Sequence, residues 1–276
     1  MDLGVVGGLA LAVAALLGAD VIDGGHLAAL FNPSAALLIF GGTIGATAIS
    51  SNLADLLTLP KLILQAIRPA QVDLAGAIER MVALALRARR NGLLSLEEDI
   101  GQIDDPVITR GLQMVIDGAD AETVRGVMRT DMILRQQAAE RQSHLFETAG
   151  GFAPTMGIIW TVMGLIHVLS NLSSPGSLGP SIATAFLATF YGISSANIFW
   201  LPIGNKLKEN GRLAEVAAEV ALEGVLSIQA GDNPSAVREK LTVFLYGAPT
   251  KTPPSDAPAP EGAAEQEPAG GADRVA

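Results

Sequence analysis

The chain has 276 residues, 49% of them hydrophobic but only 4% aromatic and 17% charged, against roughly 25% charged in a soluble globular domain, and this excludes a soluble single domain. There is no cysteine, which removes disulfide scaffolds, thiolate metal sites and cysteine nucleophiles, and the three histidines, His26, His144 and His167, are too scattered for a metal site. The net charge of −10 argues against a nucleic-acid partner, which needs a basic surplus or patch.

Four apolar runs lie at Leu3 to Ile22, Ser34 to Asn52, Phe152 to Leu172 and Gly179 to Leu201, each long enough to cross a hydrocarbon core about 30 Å thick. The first follows Asp2 with no Lys or Arg before it. A secretory signal peptide starts with a basic region, so this run is expected to be retained. The segments Asp23 to Pro33 and Ser173 to Leu178 also lack Lys and Arg, whereas eleven of the 18 basic residues lie between spans two and three and seven follow span four. Lys and Arg collect in cytoplasmic loops. The long middle segment and both termini are therefore predicted to be cytoplasmic.

The middle segment reads as helical throughout. From Gln71 to Arg90, apolar Leu74, Ala77, Ile78, Met81, Leu84 and Ala85 recur at helical spacing, which predicts a half-buried helix stopping at Asn91-Gly92. Ser95-Leu-Glu-Glu98 has the form of a capping box opening a second helix. Asp105-Pro106 has the form of a cap and first-turn proline opening a third, which ends near Asp117-Gly118. The stretch from Ala121 to Thr148 is expected to run into span three as one helix. After span four, Gly204 to Gln229 continues as an amphipathic helix, and Asn233-Pro234 opens another. From Pro249 the composition turns to Pro, Ala, Gly and Glu, which predicts a disordered acidic tail.

The fold class expected is thus an all-α, polytopic membrane protein with four transmembrane helices and a helical cytoplasmic domain inserted between spans two and three. Its parts are residues 1–52 (spans one and two), 53–147 (the cytoplasmic domain), 148–204 (spans three and four), 205–248 (cytoplasmic helices) and 249–276 (the tail).

No Asp, Glu, Lys or Arg lies inside spans two, three or four, and span one has only Asp20 at its outer edge. Ion pathways through membranes normally use an intramembrane ionisable group. If this protein moves ions, a partner must bring the carboxylate. Spans three and four offer instead hydroxyls, including Thr161 and Thr189, among Gly157, Gly164, Gly192, Ala185 and Ala188. Such a set also serves plain tight packing, with hydroxyls bonded back to the preceding turn. Pro154 and Pro202 sit near the cytoplasmic ends of these spans. Each removes a backbone donor and permits a bend; Pro154 also fits a first-turn position, while Pro202 fits a kink or hinge.

Gly150-Gly-Phe-Ala-Pro-Thr-Met-Gly157 followed by Thr161-Val-Met-Gly164 resembles the third span of the MotA/PomA flagellar stator subunits, within the MotA/TolQ/ExbB group. The fourth span agrees through Ala183-Thr-Ala-Phe-Leu-Ala-Thr189, Gly192, Ala196-Asn197 and Pro202, and the first two through Pro33-Ser34 and Gly41-Gly-Thr43. Asn233-Pro234 and Glu239-Lys-Leu241 extend the resemblance to about Leu245.

The resemblance implies that five copies surround two copies of a MotB/PomB-type B subunit, whose single span carries an ion-binding Asp. Ion flow in the inner membrane then drives rotation, and the cytoplasmic domain pushes on the rotor protein FliG; no enzyme chemistry and no cofactor are implied. Arg89 and Glu97 match the family's torque pair, and Arg90 and Glu98 its neighbouring charges. Read without the resemblance, Glu98 closes a cap and the arginines form a solvated face. Thr161 and Thr189 match the threonines beside the B-subunit Asp. Sodium-driven members carry another Thr where Ala188 stands, and a hydroxyl helps replace the hydration shell of Na⁺, so protons are the expected ion and Na⁺ the alternative. Trp160 stands where relatives have Gly; an indole does not fit between closely approaching backbones, so its ring is expected to face lipid or the local interface to differ. His167 reads either as a packed residue or as a pH-sensitive group. Two other classes compete with this one. An ExbB/TolQ-like energiser of an envelope system typically has three spans, and a membrane-embedded enzyme lacks its acids here.

Overall fold

The computed structural model describes residues 2–68, 72–103, 105–170 and 175–246, and among them every regular element is helical. The tail expected at 249–276 and the end of span three at Leu172 lie outside the described residues. Four helical stretches are long and apolar enough to cross a membrane: Leu3–Ile22, Leu27–Ser50, Ala121–Ser170 and Leu178–Ala230.

Helix α1 is Leu3–Ile22, capped by Asp2, whose Oδ1 accepts the Gly4 N–H at 2.9 Å. Helix α2, Pro33–Ser50, starts with proline in its first turn after the Asn32 cap, which accepts the Ala35 N–H at 3.0 Å. Two short helices, α3 (Leu53–Leu56) and α4 (Leu59–Ile67), lead into α5 (Leu74–Asn91), the one-turn α6 (Glu97–Ile100) and α7 (Pro106–Ile116). Helix α8, Ala121–Ser170, is continuous for 50 residues, about 75 Å at the α-helical rise. It carries the chain from the polar domain through the third span without a break. Helix α9 (Pro175–Ser195) runs through five residues in a wider π turn, Ala196–Trp200, into α10 (Leu201–Ala230), and α11 (Pro234–Tyr246) ends the described chain.

The apolar stripe of α5 is buried as its spacing predicts. Leu74, Ile78, Met81, Leu84 and Ala85 meet Ile108 and Leu112 of α7, Val124 and Met128 of α8, Leu222 and Val225 of α10 and Leu241 of α11. Residues after span four thus share one core with those before span three. Gly224 allows the approach, because a Cβ there would stand 2.7 Å from Met81 Cγ.

A second cluster sits where domain and spans meet. It joins Leu62 and Ala66 of α4, Leu145, Phe146 and Ala149 of α8, and Trp200, Ile203 and Leu207 beyond span four. The Phe146 and Trp200 rings lie 6.1 Å apart at a tilt, an arrangement aromatic pairs favour. Between the spans a smaller cluster holds Ala35, Ile39 and Ala188.

Helix α1 has no buried residue and is held by its ends. The Asp2 N–H donates to Ile67 O at 2.7 Å, and Lys206 Nζ donates to Asp2 Oδ2 at 2.6 Å. This hydrogen bond from Lys206 is the largest cause holding the Asp2 carboxyl below its ordinary pKa. At the far end, the Tyr191 hydroxyl of α9 donates to Leu30 O and accepts the Asn32 N–H, pinning the turn Leu27–Leu30 that follows α1.

Two local expectations change. The capping box at Ser95 does not form: the Ser95 hydroxyl donates back to Gly92 O at 2.7 Å inside a 3₁₀ turn, Leu93–Leu96, and α6 begins only at Glu97. Gly92 takes φ +83°, the chain reverses there, and Leu96 is fully buried. Burial of Leu96 thus sets the turn ahead of local capping. Pro154 lies inside α8 rather than in a first turn. By contrast, Asp105 accepts the Val107 N–H at 2.9 Å and Asn233 accepts the Ser235 N–H at 3.2 Å, so both predicted caps are present.

Candidate ion path and rotor-contact surface

Helices α8 and α9 cross at three small residues. A Cβ on Gly192 would lie 2.5 Å from Ala153 O, one on Gly157 2.9 Å from Ala188 O and from Thr189 Cα, and one on Gly164 2.7 Å from Ala185 Cβ. With lipid as solvent, helices gain nothing by merely hiding apolar surface from one another, so close backbone contact supplies the attraction.

This contact brings Thr161 and Thr189 together. Their Oγ1 atoms are 2.5 Å apart, and Thr161 Oγ1 also donates within reach of Ala185 O (2.8 Å) and Gly157 O (3.0 Å). Thr189 Oγ1 lies 3.4 Å from Gly157 O. Two half-buried hydroxyls and two carbonyls therefore form one cluster of oxygens at membrane depth. Oxygen clusters of this kind can replace water around a passing ion, and a hydroxyl can both donate and accept.

Ala188 is fully buried, but on another side of α9, with Ala35 and Ile39 of α2. Trp160 packs against the same cluster, with Met156 and Tyr191. The ring thus escapes the helix crossing, which Gly157 and Gly164 make on either side of it. Trp160 also lines a cavity of about 460 Å³ with Met163, Gly164, His167, Pro180, Ser181 and Thr184. Its Nε1 is buried without a hydrogen-bond partner.

Neither α2, α9 nor the stretch 148–170 of α8 contains an Asp, Glu, Lys or Arg. Glu147 and Lys208, 3.7 Å apart, mark the polar boundary. Pro154 sits where α9 crosses α8, with its Cα 3.2 Å from the Cβ position of Gly192. Pro202 follows the π turn Ala196–Trp200 directly; a π turn changes the hydrogen-bond register, which accommodates the donor that proline lacks.

In the helical domain between the second and third spans, Arg89 and Arg90 occupy the exposed last turn of α5, where the helix dipole favours cations. Glu97 and Glu98 occupy the exposed first turn of α6, where it favours anions. Gly92 turns the chain so that both ends share one edge. Among the described residues, Arg89, Arg90 and Glu97 have no ion-pair partner. Glu98 does: Arg87 donates to Glu98 Oε2 at 2.8 Å and to Asp99 Oδ1 at 2.7 Å. The sequence places Arg87 on the polar face of α5, but a bridge across eleven and twelve residues has no local periodicity to show it. Sequence reading missed Tyr191, whose two partners lie some 160 residues away.

The model of the MotA/TolQ/ExbB proton channel family matches residues 99–219, and that of the motility protein A N-terminal region matches residues 6–92. Motility protein A of Bacillus subtilis is 35% identical over 239 residues, 86% of this chain and 88% of that protein. Among solved structures, that of C. jejuni MotAB superposes with a TM-score of 0.85 at 28% identity, covering 88% of this chain and 96% of that one. The flagellar MotAB stator complex from Bacillus subtilis gives 0.81 at 35% identity, covering 86% and 94%. The chain belongs to the MotA/TolQ/ExbB proton channel family, among the motility A proteins.

Proposed function

We propose that this chain is the A subunit of a flagellar stator that conducts protons beside a B subunit and turns their flow into rotation. The family is one of stator and ion-channel subunits, not enzymes, and membrane embedding and assembly with a MotB partner follow from the likeness to the two MotAB structures. The observation that carries the ion path is the Thr161–Thr189 oxygen cluster in spans without any acid. The ionisable group must come from a B-subunit Asp placed against the α8–α9 seam.

In this reading the protein lies in the inner membrane with both termini cytoplasmic, and five copies surround two B subunits. Of the two prolines expected as hinges, Pro202 beside the π turn acts as one between the membrane seam and the domain below, while Pro154 lies within the continuous α8. Arg89, Arg90, Glu97 and Glu98 meet complementary charges on FliG. Exposed charges suit a contact that must form and break quickly, since they raise association rate and set register without slowing release. Protons are favoured by the resemblance alone, since Ala188 stands where sodium-driven relatives carry Thr while its side chain packs toward α2, and no cofactor takes part.

The test is swimming speed in cells whose only stator is this chain with its cognate B subunit, with sodium varied at constant ionic strength. Speed should be independent of sodium and abolished by a protonophore. Sodium-dependent speed would keep the stator and overturn the proton assignment; no motility with correctly inserted protein would overturn the stator reading.

A further inference from the structure

Helix α1 is tied at both ends yet has no fully buried residue, and the space it leaves is not small. A slot of about 860 Å³ lies between α1 and the rest of the membrane bundle, within the roughly 300–1,000 Å³ of ordinary ligand sites. Its walls are Leu9, Val13 and Leu16 of α1, Phe40 and Ile44 of α2, and Phe190 of α9. Its floor is made by α3–α4, through Leu57, Leu59, Pro60 and Ile63, together with Trp200. The slot therefore runs from the middle of the spans to the membrane surface on the α3–α4 side.

Three observations identify what fits. First, the walls are hydrocarbon, at a depth where the surroundings are lipid chains. Second, Trp200 lines the floor of the slot, and Trp rings collect at the level of the lipid headgroups. Third, Lys61 stands between two floor residues, Pro60 and Ile63, exposed and without an ion pair among the described residues. Arg68, exposed at the end of α4, is also unpaired. Asp55 is the one carboxylate of α3–α4 and pairs with neither. Exposed Leu53, Leu57 and Leu64 complete a segment with apolar and cationic groups together, the composition of a helix lying in a membrane interface.

We propose that this slot binds an anionic phospholipid of the leaflet that meets α3–α4, with an acyl chain between α1 and the α2–α9 pair and the phosphate at Lys61. The bound lipid supplies the packing that α1 lacks against its own bundle. A helix of a second copy, about 10–12 Å across with its side chains, would have to displace α1 from Lys206, Ile67 and the pinned turn at Leu30 to enter the same space.

The test is phospholipid retention by the full chain purified with its B subunit and washed extensively in detergent. Bound lipid is measured by phosphate assay and headgroup class by mass spectrometry. The wild type should retain phospholipid enriched in anionic headgroups over the bulk membrane. Lys61→Glu, on the surface, should lower anionic retention roughly fivefold or more, since each basic residue near a membrane contributes about 1 kcal/mol, while zwitterionic lipid persists. Val13→Trp, which fills the slot, should lose both classes with the B subunit still co-purifying. Absence of retained lipid, or a headgroup composition identical in wild type and Lys61→Glu, overturns the proposal. So does efficient disulfide cross-linking between copies through Val13→Cys in this otherwise cysteine-free chain, which would assign the slot to a neighbouring subunit.

Discussion

Gly157 and Gly192 touch backbone atoms of the facing helix, and no side chain can yield there. A Cβ at Gly192 would sit 2.5 Å from Ala153 O, and one at Gly157 2.9 Å from Ala188 O. Gly157→Ala and Gly192→Ala should each destabilise the detergent-solubilised protein by about 1–3 kcal/mol, the range for overpacking. Gly126, on the polar part of α8 with nothing within 4 Å of its Cβ position, provides the opposite case. Gly126→Ala should stabilise by up to about 1 kcal/mol through helix propensity alone, and denaturant unfolding followed by Trp fluorescence distinguishes the two. Equal effects at all three positions would refute the seam as the source of tight packing. Asp2 gives a prediction with pH. Its carboxyl is held below its ordinary pKa first by the Lys206 hydrogen bond, so the contribution is present above the ordinary carboxylate range and is lost as pH falls through the lowered value. Lys206→Met should cost no more than about 1 kcal/mol at neutral pH, and the gap from wild type in thermal midpoint should close as the pH falls through the lowered value.

The turn between α5 and α6 shows an element whose local signals and tertiary role diverge. Ser95 and Glu98 have the spacing of a capping box, but the serine hydroxyl caps backward onto Gly92 and the glutamate is taken by Arg87. The bridge from Arg87 to Glu98 and Asp99 clamps α6 onto α5, leaving Arg89, Arg90 and Glu97 outward. These charges therefore separate by role. Arg89→Glu should abolish or strongly reduce swimming with normal membrane insertion and thermal stability, and a compensating charge on the rotor should restore part of the speed. Arg87→Ala should act the other way round, weakening the α5–α6 edge in hydrogen exchange. Normal motility in Arg89→Glu would remove the torque assignment. The two proline elements divide similarly: α8 keeps its course through Pro154, whereas the chain meets Pro202 with a π turn, a feature no apolar run discloses.

At the scale of the molecule, a single 50-residue helix links the hydroxyl cluster in the membrane to the core that carries the charged edge. Such a rod transmits displacement, because its backbone hydrogen bonds are internal and its two halves are anchored in separate packed clusters. The orientation follows from the Lys and Arg distribution and can be measured. Alkaline phosphatase fused after Gly25, or in the segment between α8 and α9, should be active outside the cytoplasm; fusions after Ile67 and after Tyr246 should be inactive. The reverse pattern would overturn the cytoplasmic placement of the charged domain.

The sequence alone determined the four spans, the helical insert and the caps at Asp105 and Asn233. All of these depend on composition, periodicity or contacts a few residues apart, so they are legible without a fold. Its resemblance to the stator family also singled out Thr161 and Thr189, though not their 2.5 Å separation. Only the tertiary structure decided that this pair shares its oxygens with Ala185 and Gly157, that Ala188 and Trp160 belong to the α2 side, and that residues beyond span four complete the core begun before span three. It also decided that Arg87 claims Glu98 and that α1 stands off from its bundle. Each of these joins residues with no fixed sequence separation, and is set by which helices meet and at what height.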